Sequence, residues 1–372
     1  MKKDNLNNIL PFSTELNISA FSGIFNNVKN SYKFYFFLGI MDTLKRNGFE
    51  SQIAFDDLRI KMLTLSWYPY QTFHLSFGGQ DQLTGNLDKI ANITLNNFMP
   101  DNNDIRNQII EKELGKDLLK YVPYRLIRPF FSNQLRGVRD AIVNRKVEEY
   151  SNDLFEEEKP FYKISTKNQN VIIHVDWLEY IKLNYGIIKD WLLWNLLEYM
   201  QKQNPNIPNL SVKLLPPQER LPLTSQRNYW RQILQENEMR CIFSNQIIKP
   251  DEFALDHYLP WSYVGHDRLW NLIPISQGVN STKSNNLPDK KYFDKFVDVQ
   301  YSGITQAREV ISERVWKKEM SCYLTDLFIS NFEELQERDN LKSALKKIVF
   351  PAIDLASSMG FSVNWKFCNN CN

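Results

Sequence analysis

The sequence predicts an α+β protein. Its N-terminal domain is mostly helical with one β-hairpin, and its C-terminal domain is a strand–loop–strand–helix run flanked by helices. Three observations carry this. Apolar residues recur at helical spacing, or fill whole turns, over 17–48, 56–67, 105–120 and 187–201. Two alternating or β-branched runs, 161–165 and 171–175, flank Asn168-Gln-Asn and read as a hairpin. Two more short apolar runs, 253–257 and 272–276, lead into a polar segment over 277–285 that reads as a short helix.

In chain order, Ser31 to Asp42 is apolar almost all round and predicts a buried helix ended by Asn47-Gly48. A helix over 56–67 is expected to stop at Pro69, and Gly78-Gly79 marks a loop. An amphipathic helix is expected over 105–120, then extended or turn structure over 122–129, where Pro123 and Pro129 restrict the residues before them. Asp176 is expected to cap a helix over 177–183, with an apolar helix following over 187–201. Five prolines between 204 and 222 interrupt all periodicity, which reads as a linker. The expected domains are therefore 1–202 and 223–372 around a linker at 203–222, with the chemistry-bearing centre at 241–290. Helices near 225–238 and from 292 to 357 complete the second domain.

At 372 residues the chain has room for two or three cores. A net charge of +2 makes no global case for nucleic-acid binding, so any such case is local. The longest aromatic and aliphatic run, 34–41, is too short to span a bilayer, and the N-terminus lacks the apolar core of a signal peptide. No membrane partner is expected. Four cysteines argue against a disulfide framework and for a reducing, cytoplasmic setting, taken as bacterial.

The most informative run is Asp256-His257-Tyr-Leu-Pro-Trp-Ser, with Asn271 14 residues after His257 and Asn280 nine further on. Strand, loop, strand and helix in that order bring the end of the first strand against the helix. Asp256 and Asn280 then meet as oxygen donors, a set that suits Mg²⁺ or Mn²⁺ better than Zn²⁺. His257 points to the other side of the strand, where an imidazole can take a proton from water. Asn271 is expected to tie the loop down and orient His257, and Lys283, one turn past Asn280, to touch a phosphate oxygen. This is the layout of an HNH centre of ββα-metal type, in which a cation and a base hydrolyse a phosphodiester.

The run resembles the HNH domain of the RNA-guided CRISPR effector nucleases. The likeness rests on Asp256, His257, Pro260, Ser262, Asn271, Asn280, Lys283, Ser284, Asn286 and Pro288, and on the entry Cys241-Ile-Phe-Ser-Asn. The resemblance implies that His257 activates water while Asp256 and Asn280 hold a single Mg²⁺. It carries no RuvC-like nuclease, bridge helix or guide-binding lobe, so a guide RNA is not expected. Many HNH proteins flank the centre with two Cys-x-x-Cys pairs; in this chain the upstream pair reads Cys241-x-x-Ser244, so structural zinc is not expected. More loosely, the rest of the chain is similar to stand-alone bacterial HNH endonuclease-domain proteins, through Asn30 to Phe34, Trp67-Tyr-Pro-Tyr and Leu75-Ser-Phe-Gly78.

Other candidates weigh less. His266 reads as a solvated loop residue, and His74 and His174 as structural. Cys368 and Cys371 have the spacing of half a zinc knuckle, beside the bland reading of a solvated tail. Between Lys116 and Lys146 eight basic residues face two acidic ones, with aromatics interleaved; Arg125, Arg128, Arg136 and Arg139 are the DNA-contact candidates, against solvated helix faces as the alternative. The expectation is a metal-dependent DNA endonuclease acting in antiviral defence or restriction, its N-terminal domain recognising a target. A double-strand break would require a homodimer, a partner protein or repeated nicking. The alternative is a nucleic-acid-binding or regulatory module whose centre works only with a partner.

Overall fold

The computed structural model describes residues 10–26, 28–91, 103–215 and 221–368. By internal packing the chain divides into two compact units, Met1–Pro205 with Leu214–Pro216, and Asn206–Lys213 with Pro217–Asn372.

The first unit runs α1 (Ile18–Ser22), α2 (Tyr32–Arg46), β1 (Gln52–Ala54), α3 (Phe55–Gln71), α4 (Gln82–Ala91), α5 (Asn103–Glu111), α6 (Val122–Ile127), α7 (Asp140–Asp153), β2 (Tyr162–Ser165), β3 (Asn170–Ile173) and α8 (Val175–Gln203). Helix α2 is its axis: every residue from Phe34 to Met41 is buried, with α3 and α8 packed against it. Phe21 nests among Phe37, Phe161, Trp177 and Trp191 at ring centroid distances of 4.5–5.9 Å, which joins α1, α2, the hairpin and α8 in one core.

Several expectations are corrected by local physics. Pro69 lies inside the last turn of α3, which runs on to Gln71. The helix expected over 105–120 breaks after Glu111, because Glu113 and Gly115 adopt φ of 54° and 77°, and a short 3₁₀ turn follows at Lys116–Lys120. The segment expected to be extended is helical: Pro123 stands in the first turn of α6 and Pro129 in that of the 3₁₀ turn Arg128–Phe131, where a missing N–H costs nothing. The two helices expected over 177–201 are one, kinked at Asn184, whose amide donates to the Tyr180 carbonyl at 2.9 Å. Its cap is His174, whose Nδ1 accepts from the Asp176 N–H at 3.2 Å. The hairpin forms as β2 and β3, and β1 adds to the other side of β3 in the order β1-β3-β2, with Ile53 opposite Val171.

The second unit runs α9 (Thr224–Glu236), β4 (Phe253–His257), α10 (Trp261–Val264), β5 (Leu272–Ser276), α11 (Gln277–Lys283), α12 (Phe293–Val310), α13 (Glu313–Leu327), α14 (Phe332–Leu335) and α15 (Arg338–Ser358). Strands β4 and β5 pair antiparallel with Asp256 opposite Ile273 and His257 opposite Leu272, and α11 packs on both. Helices α9, α12, α13 and α15 enclose one apolar core with the strands. Trp230 presses on Gly303: a Cβ there would lie 2.5 Å from the Trp230 ring, so only glycine permits this approach of α9 to α12. Part of the expected linker belongs to this unit. Asn209 donates to the Val264 carbonyl at 2.8 Å and Lys213 to the Tyr263 carbonyl, so both clip onto α10. Among the described residues no helix is long and apolar enough to cross a membrane.

Candidate active site

Strand alternation sends neighbouring side chains at the end of β4 to opposite faces, and the two faces differ in chemistry. Asp256 is buried, and its Oδ1 accepts from Lys283 Nζ at 3.0 Å across from α11. Lys283 also donates to the His257 carbonyl at 2.7 Å. The expectation that Lys283 touches phosphate is corrected: its side chain is 0% exposed, because a carboxylate lies opposite it. Desolvation raises the pKa of Asp256, with Lys283 pulling the other way. Its second oxygen, Oδ2, is buried without a hydrogen-bond donor. A buried carboxylate oxygen left bare is what a cation or an ordered water satisfies.

Asn280 lies three residues before Lys283, hence on the same face of α11 and one turn back. It is half-buried. Asp256 Oδ2 and the Asn280 amide oxygen are both donors of the kind a hard divalent cation takes. Among the described residues no three His, Cys, Asp or Glu side chains converge as a metal group. A centre at this position would rest on one carboxylate and one amide.

On the other face His257, about one-eighth exposed, donates from Nε2 to Asp267 Oδ1 at 2.7 Å. With the ring hydrogen on Nε2, Nδ1 keeps its lone pair. Asp267 was missed in the sequence. The available signal was a carboxylate in the loop between the strands, ten residues past the histidine.

That loop is held from three sides. Asn271 Oδ1 accepts from Leu259 N at 2.8 Å and its Nδ2 donates to Leu259 O at 2.9 Å, while Tyr258 N donates to Asn271 O at 2.8 Å. Gln300, fully buried on α12, donates to the Leu272 carbonyl at 3.0 Å and is itself fixed by Tyr323 Oη at 2.6 Å. Asp326 on α13 accepts from Trp270 Nε1 at 2.9 Å and pairs with Arg268 at 3.2 Å. Tyr258 stacks on Phe296 with centroids 3.9 Å apart.

His266, expected to be solvated, is instead partly buried beside Trp270, and desolvation pushes its pKa down to about 4. Ser244, where a second upstream cysteine would stand, lies 3.3 Å from Ser276, hydroxyl to hydroxyl. Cys241 is buried, Cys322 half-buried and Cys368 exposed; Cys371 falls outside the described residues. In the first unit, Arg125, Arg128, Arg136 and Arg139 are all exposed, along α6, the 3₁₀ turn after it and the stretch that leads into α7.

Residues 241–289 match the family model described as HNH endonuclease. The match marks that segment as an HNH endonuclease domain, which suggests nuclease activity on nucleic acid. No curated protein and no solved structure gives a match.

Proposed function

We propose that the chain is a divalent-metal-dependent DNA endonuclease with a ββα-metal centre in which His257 is the general base. The observation that carries this reading is the pairing at the end of β4: a histidine polarised by Asp267 at 2.7 Å, next to a buried aspartate with one oxygen bare. Asp267 holds the imidazole so that Nδ1 takes a proton from the attacking water, and it stabilises the imidazolium that results. Asp256 and Asn280 would hold Mg²⁺ or Mn²⁺, which supplies Lewis-acid stabilisation of charge on the scissile phosphate and the leaving 3′ oxygen. Lys283 keeps the Asp256 carboxylate in place from behind, and Asn271 keeps Leu259, and with it the loop, in register with His257. One such centre nicks one strand and leaves 5′-phosphate and 3′-hydroxyl ends.

We place this activity in a bacterial cytoplasm, in restriction of foreign DNA, with the exposed arginines at 136 and 139 as contacts for the substrate or a partner. Plasmid nicking in Mg²⁺ tests the assignment. Wild type is expected to convert supercoiled to open-circular DNA, and His257→Ala and Asn280→Ala to lose that conversion. Undiminished nicking by either variant sinks the roles assigned to these two residues. A wild-type protein that binds DNA yet cuts under no divalent metal returns the reading to a partner-activated module.

A further inference from the structure

Within the first unit, α1, the turn after it, the start of α2, α6 and the start of α7 line an open cavity of about 1100 Å³. Four basic side chains line it, Lys29, Lys33, Arg125 and Arg128, against one acidic residue, Asp140. That carboxylate does not neutralise the group: it is almost fully exposed and, among the described residues, pairs with Arg128 alone, at 3.5 Å. Lys33 donates to the Ile24 carbonyl at 3.2 Å and pairs with no carboxylate among the described residues; burial, with Arg125 and Arg128 adding to it, pushes its pKa down to about 8. Cations gathered in a concavity at mutual cost are relieved by a bound anion.

The arginines narrow the anion. Arg125 donates to Tyr32 Oη at 2.8 Å and lies over the Tyr121 ring at 4.7 Å, so its guanidinium is pre-oriented and leaves donors free. Guanidinium forks favour phosphate oxygens. Tyr32 and Tyr121 also line the cavity and put aromatic surface beside the arginines, where a base can pack. The cavity far exceeds what a lone phosphate fills and lies just above the usual span of small-ligand sites, roughly 300–1,000 Å³. Arg136 and Arg139 lie outside its lining, so the basic segment is not one continuous strip.

We propose that this cavity binds a nucleoside polyphosphate, with Lys33, Arg125 and Arg128 on the phosphates and Tyr121 against the base. The test is isothermal titration of the full chain with ATP, in chelator so that the nuclease centre takes no part. AMP, pyrophosphate and a 5′-phosphorylated oligothymidylate run alongside. ATP is expected to bind saturably and more tightly than AMP or pyrophosphate. Arg125→Gln and Arg128→Gln, both exposed positions, are expected to weaken it at least about tenfold each, a loss of roughly one charge-assisted hydrogen bond, and Arg136→Gln to leave it unchanged. Circular dichroism checks that each variant is folded. The proposal is overturned if ATP gives no binding at millimolar concentration, if both cavity variants bind as wild type does, or if the oligonucleotide binds and ATP does not displace it. Plasmid nicking is scored separately, so either reading can fail while the other stands.

Discussion

Replacing Lys283 by Met removes the ammonium that faces Asp256 and retains most of the side-chain volume. Both partners are withdrawn from water, with side-chain exposures of 0% and 5%, and they lie 3.0 Å apart. In Lys283→Met neither oxygen of Asp256 keeps a donor, since Oδ2 has none already. Stranding one member of a buried pair costs about 3–5 kcal/mol. For a unit of this size that is about 10 °C in Tm, at roughly 2–4 °C per kcal/mol. The loss has a pH signature. With Lys283 gone, the main opposition to burial is lost and the Asp256 pKa rises further, His257 alone still pulling it down. Between the unfolded and folded values the native state then holds a proton the unfolded state has released, so stability falls as pH rises. The variant is expected to be closest to wild type near pH 5 and furthest at pH 8. Adding Asp256→Asn removes the stranded charge and should recover most of the loss. Urea unfolding followed by tryptophan fluorescence at both pH values measures this. A Lys283→Met protein within about 1 kcal/mol of wild type at pH 8, or a double variant as unstable as the single one, would refute the reasoning.

Asp267→Asn is expected to slow nicking about 10–100-fold, the usual cost of losing the group that orients a catalytic imidazole, with the circular dichroism spectrum unchanged; an unaltered rate removes Asp267 from the mechanism. Gly303→Ala forces a methyl to 2.5 Å from the Trp230 ring and should lower stability by about 1–3 kcal/mol, read as a lower urea midpoint at constant slope. His266, pushed down to about 4 from 6.5, is neutral in the folded chain while the unfolded chain protonates. Stability should therefore drop as pH falls from 6.5 towards 4, and His266→Asn should flatten that slope by at most about 1.4 kcal/mol per pH unit. An identical slope in the variant would show that His266 is not the group responsible.

The parts of the centre readable in the sequence were those set by short-range pattern. Phe253 to His257 and Leu272 to Ser276 form strands, and Gln277 begins the helix after them, because each run is bounded by turn residues and of strand or helix length. What escaped was contact across the loop. Nothing in composition distinguishes Asp267 from any loop carboxylate until β4 and β5 pair and turn it toward His257. Lys283 was misplaced for a related reason: lysine is ordinarily solvated, and only the opposing Asp256 makes its burial tolerable. In the first unit Pro123 and Pro129 point to extended or turn structure because they restrict the residues before them, although the same ring also begins a helix. Strand β1 is only three residues long, too short for alternation to register, and it forms because β3 has a free edge beside it.

The clamp on the loop before β5 sets how much of this chain must travel together. The segment that matches the HNH family ends at residue 289, yet Gln300, Tyr323 and Asp326, which brace that loop, all come later. Leu287 is also tied to the chain's final stretch by backbone hydrogen bonds, donating to Ser362 at 2.8 Å and accepting from Trp365 at 3.0 Å. An excised 241–289 peptide would keep every residue of the motif and lose its scaffolding. A transplant of this nuclease into another protein, or a minimal fragment for crystallography, therefore has to extend from α9 to about residue 367.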